Sequence, residues 1–486
     1  MKNPLTFEKQ YGFEVWKGKR INSAFEFAKG YKDFISECKT EREVVDWVEK
    51  KARAEGYKDL EGKPSFAESD SASAGKEGKR GGRRVYRINR GKSIILGSFG
   101  KRPVKEGLRM ILAHIDCPRI DLKPMPLYEA EKIAWFKTQY YGGIKKYQWP
   151  AIPLALHGVI VLENGKKITL NIGEKETDPV FTITDLLPHL SQKQMEKKLS
   201  EAVEGEEMNV VVGSKPTKFK VQSAKFKVDE GKDMVKMGIL KLINEEYGIT
   251  EEDLVSADLE IVPAGRARDL GFDCSMVGGY GQDDRICAYG ALQAFLGINE
   301  QEYPMVLVLV DKEETGSESN TGALSNFIPD FISEMIFMED GKHDENILRD
   351  SLSSSKAVSA DVTVAFDPDY GDVFDSKNCA RLGAGVAIEK YTGRRGKSDT
   401  SEASAEYLAE IRKIFNKNDI LWQTGGLGKI DLGGGGTVAM FLARYNMDVI
   451  DIGVPILSMH SPFEISSKID LYSAFESYKA IFNWKK

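Results

Sequence analysis

The stretch Met305-Val-Leu-Val-Leu-Val310-Asp311-Lys312-Glu313-Glu314-Thr315-Gly316 decides how this chain is read. Six apolar residues stop abruptly at three carboxylates within four positions, and a glycine follows. A short, continuous apolar run fits a strand buried on both faces, as the parallel strands of an α/β sheet are. In such sheets, ligands and reacting groups collect just beyond the carboxyl ends of the strands. Glu313 and Glu314 are adjacent, so in an extended segment they point to opposite sides, and one can hold a metal while the other does different work. Taken alone, the cluster reads more readily as a solvated acidic loop. The rest of the chain has to decide.

At 486 residues the chain is expected to hold two or three domains. Hydrophobic residues at 41% and charged residues at 29% are ordinary for a soluble globular protein. A net charge of -6 with well-mixed signs argues against nucleic acid as a partner. The longest apolar stretch, Ala151 to Leu162, contains Pro153 and His157 and is too short to span a bilayer, so no membrane role is expected. The first residues lack the apolar core of a signal peptide. Five scattered cysteines with no CxxC pair argue against a disulfide framework or a thiolate zinc site and point to a reducing cytoplasm.

Along the chain, Lys19 to Ala54 has helical periodicity, and Ser65 to Arg84 shifts to Ser, Ala, Gly, Lys and Arg and reads as a loop. Arg84 to Phe99 reads as a hairpin around Asn89-Arg90-Gly91, and Gly107 to Ile115 as a buried strand. From about 123 to 256, short β-rich pieces such as Gly158 to Leu162 and Lys218 to Val228 alternate with polar segments, which marks an inserted domain. After it, strands alternate with helices to the end. The expected fold is therefore α/β: a discontinuous catalytic domain, 1–122 and 257–486, plus a β-rich insert at 123–256.

Chemistry-bearing residues recur at strand edges. His114 and Asp116 follow one strand-like run, Asp283 opens a helix, Asp361 adjoins a strand, and His460 follows another run. With Glu314 these hard or borderline ligands suit two zinc-like ions sharing one carboxylate, and cobalt or manganese would also be accepted. Asp116 lies two residues from His114 and so on the same face of an extended chain, where it can accept the other ring N–H. Glu313 is left over beside Glu314, the position of a general base in metal-assisted hydrolysis. Competing motifs fail. There is no HExxH or GxSxG, Ile430 follows Lys429 where a phosphate loop needs Ser or Thr, and Gly383-Ala-Gly385 lacks a third glycine at its spacing. Gly433 to Gly436 permits close approach of main chain to a ligand, or merely a flexible turn.

At His114-Ile-Asp-Cys-Pro-Arg119, Gly281-Gln-Asp-Asp-Arg285, Asp311 to Ser317, Ser359-Ala-Asp361, Gly433 to Thr437 and Met459-His-Ser-Pro462, the sequence resembles the aspartyl-aminopeptidase family of dinuclear zinc peptidases, in its bacterial branch. The resemblance covers nearly the whole chain. It implies a zinc-exopeptidase-like catalytic domain with a central mixed β-sheet flanked by helices, and a β-rich insert that makes dimer contacts. It implies a cytoplasmic aminopeptidase that releases N-terminal residues from peptides by metal-activated water. Asp283 would bridge two zinc ions, with His114 and Asp361 on one and Glu314 and His460 on the other. Glu313 would be the general base and Asp116 the residue orienting His114. Family members assemble as homododecamers built from dimers, and the segment Ile152 to His157 is similar to one whose histidine reaches a neighbour's active site. Members acting on acidic N-terminal residues use basic groups in the substrate pocket, and here Lys390, Arg394, Arg395 and Lys397 are candidates. Cys117, Asp284 and Thr315 stand where Ser, Asn and Val are common. Rivals on the same scaffold are a dinuclear deacylase or carboxypeptidase, and from another class a non-catalytic shell-forming relative.

Overall fold

The computed structural model describes residues 5–60, 83–217 and 233–485. The loop expected at 65–84 lies almost wholly, and the strand expected at 218–228 entirely, outside these residues. The chain divides into two compact units, one comprising Met1–Cys117, Ala267–Met459 and Phe463–Lys486, the other Pro118–Arg266 with His460–Pro462.

The first unit is built on a nine-stranded mixed sheet. At its centre, strands Met305–Val310, Arg109–His114, Lys356–Ser359 and Asp448–Gly453 run parallel in that spatial order. Every residue of Met305–Val310 is buried, as the run of Val and Leu requires. Alternate side chains supply two cores. Leu307, Leu309, Ile111 and Ala113 pack under the helices Gly18–Glu37, Glu41–Ala54, Gln282–Leu296 and Lys468–Phe482. Val306, Val308, Met110 and Leu112 pack on the opposite face against Phe327–Asp340 and Glu345–Ser353.

The single helical span expected from Lys19 to Ala54 is two helices. Thr40 ends the break by accepting from the Glu43 N–H while Glu43 caps back, a reciprocal capping box. The hairpin around Asn89–Gly91 forms from Arg84–Asn89 and Ser93–Ser98. The apolar segment from Val438 becomes a short helix, Ala439–Ala443. The four glycines at 433–436 approach the chain's own backbone: Gly393 donates to Gly435, and a Cβ on Gly434 would overlap the Gly393 carbonyl.

The second unit holds a seven-stranded sheet in which all neighbours are antiparallel, with the Ala257–Pro263 strand between Leu154–Val161 and Arg119–Ala130. It begins and ends beyond the 123–256 limits because Arg119–Ala130 and Ala257–Pro263 are themselves strands of this sheet.

Register matters where Asp361 lies. Ser359 pairs with Asp451 and Thr363 with Pro455, the same offset on both sides of Asp361, so the two segments cross from one sheet to the other together. Gly453 lies against that crossover, and a Cβ there would overlap the Asp361 carbonyl. Because the obstruction is backbone, Gly453→Ala should cost at least the upper part of the roughly 1–3 kcal/mol typical of overpacking. Urea unfolding of the variant against the wild type measures it.

Candidate metal centre

His114 is the last residue of its strand and sits beside Val310, so both central strands end level with one another. The chain after Val310 turns at once: Lys312 adopts a left-handed φ of 71° and Gly316 one of 95°, bracketing a single 3-10 turn, Glu313–Thr315. The turn's N-terminal amides are held by Asp116. Its Oδ1 accepts the Glu313 N–H at 3.1 Å and its Oδ2 accepts the Glu314 N–H at 3.2 Å. A carboxylate receiving two such amides behaves as a helix cap does, and it delivers both glutamates to the site.

The His114 ring is fully buried between two sets of oxygens. Its Nδ1 lies 3.0 Å from the Asp116 carbonyl oxygen and 3.5 Å from Asp116 Oδ1. Asp116 therefore meets the ring through both its carbonyl and its carboxylate, and the same carboxylate holds the Glu313–Glu314 turn. On the other side, Nε2 is 3.1 Å from Asp283 Oδ1, 3.8 Å from Asp361 Oδ1 and 3.9 Å from Glu313 Oε2. Within the first unit, two sets of possible ligand atoms, one from His114, Asp283 and Asp361 and one from His114, Glu313 and Glu314, each lie within 4.8 Å of one another.

Asp283 is placed by its neighbours. Gly281 precedes it at φ 74°, and Glu464 accepts N–H groups from Gln282 at 2.6 Å and Asp283 at 3.2 Å. The Asp283 carbonyl accepts from Cys117 Sγ at 2.8 Å, and Arg285 Nε donates to that sulfur at 3.0 Å. The Asp283–Asp284 peptide is cis. His460 is assigned to the second unit, with Nδ1 3.0 Å from the Gly143 oxygen. Ser461 and Pro462 are assigned there with it, and the three residues lie in the turn joining Pro455–Leu457 to Glu464–Ser467, two paired strands. His157 lies inside the second unit's sheet, fully buried, with Nε2 3.1 Å from Glu174 Oε1.

Electrostatics identify what this cluster wants. Burial pushes the Asp361 and Asp284 carboxyls well above the usual range, and neighbouring carboxylates add to it. Burial opposes protonation of His114, yet hydrogen bonds to Asp116 and Asp283 and the charges of Glu313 and Asp361 raise it well above an ordinary imidazole. Positive charge is drawn to His114 Nε2. A divalent cation among the same oxygens would satisfy them and leave the imidazole neutral as a ligand. The donor set, imidazole and carboxylates without thiolate, fits zinc.

Three further residues escaped the sequence reading. Glu464 is separated by 181 residues from the Asp283 amide it holds, and nothing local marks it. Asp284 is fully buried although only its identity as a second acid was visible. Glu389 is buried, bonded to Thr363, and pushed up to about 7 by burial, with Asp451 adding to it. Three of the four basic candidates pair with acids: Arg394 meets Asp399 at 2.8 Å, and Lys397 and Lys390 meet Glu402 at 2.9 and 3.6 Å.

The aminopeptidase I zinc metalloprotease (M18) family matches residues 34–482. The chain belongs to that family. A probable M18 family aminopeptidase 1 from Clostridium acetobutylicum is 46% identical over 483 residues, 99% of this chain and 100% of the relative. Another from Thermotoga maritima is 44% identical over 467 residues, 96% and 98% of the two chains. The solved structure of the M18 aminopeptidase from Thermotoga maritima superposes with a TM-score of 0.89 at 43% identity, covering 98% of this chain and 100% of that one. A dodecamer of mApe1 from S. cerevisiae, 20% identical with a TM-score of 0.72 over 96% of this chain and 97% of its own, shares the fold. The resemblance read from the six segments is borne out at the level of the family, and the protein is a zinc-dependent metallo-aminopeptidase.

The acid pair predicts a pH effect. Glu389 is raised from 4.5 to about 7 and Asp451 from 3.8 to about 6, both chiefly by burial. Folded protein holds these protons more tightly than unfolded chain, so their stabilisation is full below about pH 4 and drains as pH rises toward 7. For Glu389 the change is about 3 kcal/mol. Urea unfolding at pH 5 and pH 8 should show wild type losing stability and Glu389→Gln losing markedly less.

Proposed function

We propose that the centre holds two zinc ions, with Asp283 shared, His114 and Asp361 completing one ligand set, and Glu314 and His460 the other. The observation that carries this is the convergence of Asp283, Asp361 and Glu313 within 4 Å of His114 Nε2, with Glu314 next to Glu313 on the same clamped turn. His460 enters on the strength of the matched Met459-His-Ser-Pro462 segment. It is also tethered by a strand pair whose Glu464 grips the amides of Gln282 and Asp283.

When bound, the zinc ions polarise the scissile carbonyl and lower the pKa of water. The chain's own residues do the rest. Glu313 is the general base: it takes the proton of the attacking water on its carboxylate and passes it to the leaving amine. Asp116 keeps that carboxylate aimed by gripping the amides of the turn. Asp361 and Asp283 hold their positions because Gly453 and Glu464 leave their backbones one path. The N-terminal residue released is acidic or neutral.

The protein works as a cytoplasmic homo-oligomer, a dodecamer built from dimers in which the β-rich unit makes the dimer contacts. Support comes from the S. cerevisiae dodecamer of the same fold and from a set of cysteines that are all free. No helix among the described residues is long and apolar enough to cross a membrane. His157 belongs to this reading as the residue acting at a neighbour's site. Its burial against Glu174 makes release from that partner part of the step.

Glu313→Gln should lower kcat by about 10²–10⁴-fold on aminoacyl anilides while metal content, measured by elemental analysis, stays at wild type. Near-normal turnover would remove Glu313 as the base. Light scattering tests the assembly: a mass near 54.2 kDa would sink the oligomer.

A further inference from the structure

Asp311 is fully buried at the end of the central strand, three residues before Glu314, and neither the ligand set nor the base accounts for it. We propose that Asp311 is a positioning residue: through Thr321 its carboxylate closes the loop that carries Glu313 and Glu314. This rests on the roles given to those two glutamates above.

The geometry is that of a ring. Asp311 Oδ2 accepts from Thr321 Oγ1 at 2.8 Å, joining the first residue of the excursion to its last. The backbone repeats the closure, because the Asp311 N–H points to the Thr321 carbonyl at 3.4 Å and to Ser93 Oγ at 3.2 Å. Ser93 Oγ in turn donates to the Thr321 carbonyl at 2.6 Å, which ties the loop's return to the neighbouring strand. Inside the ring, the Ser317 N–H bonds the Lys312 carbonyl at 2.7 Å, and left-handed Lys312 and Ser317 set the turn. Asp116 grips the turn from outside and Asp311 anchors its base.

The choice of residue is costly. Asp311 Oδ1 is buried with no hydrogen-bond partner, and Lys312 Nζ is 3.7 Å from Oδ2. A buried oxygen left in that state costs of order 1–3 kcal/mol relative to a satisfied one. The ring as built needs an acceptor at the Oδ2 position, facing Thr321 Oγ1. Asparagine meets that requirement and alanine does not.

The experiment compares Asp311→Ala, Asp311→Asn and Thr321→Val in the zinc-loaded full chain, with wild-type metal content checked. Thr321→Val and Asp311→Ala should lower kcat, on the order of the 10²-fold that a misplacement of about 1 Å can cost, with KM changed less than about threefold. Asp311→Asn should retain most of kcat. In metal-free protein, hydrogen exchange of the 313–316 amides should accelerate in Thr321→Val and Asp311→Ala and stay slow in Asp311→Asn. If Asp311→Ala does not fold, Thr321→Val removes the same bond without touching the strand and decides alone. Wild-type kcat and exchange in Thr321→Val overturn the proposal, as does an Asp311→Asn variant as impaired as Asp311→Ala. If the wild type cleaves no peptide but exchange responds as expected, the roles of the glutamates fail and the positioning stands.

Discussion

Carboxylates buried together repel one another, and this protein holds Asp283, Asp284, Asp361, Glu313 and Glu314 around one imidazole at the edge of a sheet. Such an arrangement persists only if something positive completes it and the backbone around it cannot relax. The raised acids and the proton drawn to His114 describe the first requirement. The second is met by the scaffold. The central strands are buried on both faces, and their ends hold the cluster in place as packed side chains do, with little room to adjust.

The supporting contacts are mostly backbone contacts. Asp116 grips two amides of one turn, Glu464 grips two amides at the start of a helix, and Gly453 makes room for the carbonyl of Asp361. Side chains that bind main chain position whole segments, which is more rigid than a side chain steadied by another side chain. Asp116 serves two segments at once. Its carboxylate is committed to the Glu313–Glu314 turn, and its carbonyl is what His114 Nδ1 meets most closely.

Much of the fold was legible from local pattern. The Met305–Val310 run, the Asn89–Gly91 hairpin and the Gly107 to Ile115 strand were visible as apolar periodicity with turn chemistry between. The break at Cys38–Thr40 was less visible, since periodicity continues across it and only the Thr40–Glu43 capping pair marks it. The tetraglycine at 433–436 allowed either a ligand or a turn, and its partner is the 393–399 backbone, which no pattern near the glycines names.

By itself the sequence determined the ingredients: which strands are buried on both faces, and that acids and histidines stand at their ends, because hydrophobic period and residue chemistry are local properties. Only the tertiary structure decided how they meet. His114 and Asp283 are 169 residues apart, and Glu464 lies 181 from the amide it holds, so their contacts depend on strand order and register. The opening stretch shows the division most clearly. Its three acids look alike in sequence, yet Asp311 is sealed beneath the loop with Thr321, while the turn carrying Glu313 and Glu314 is held beside His114 by an aspartate from another strand's end.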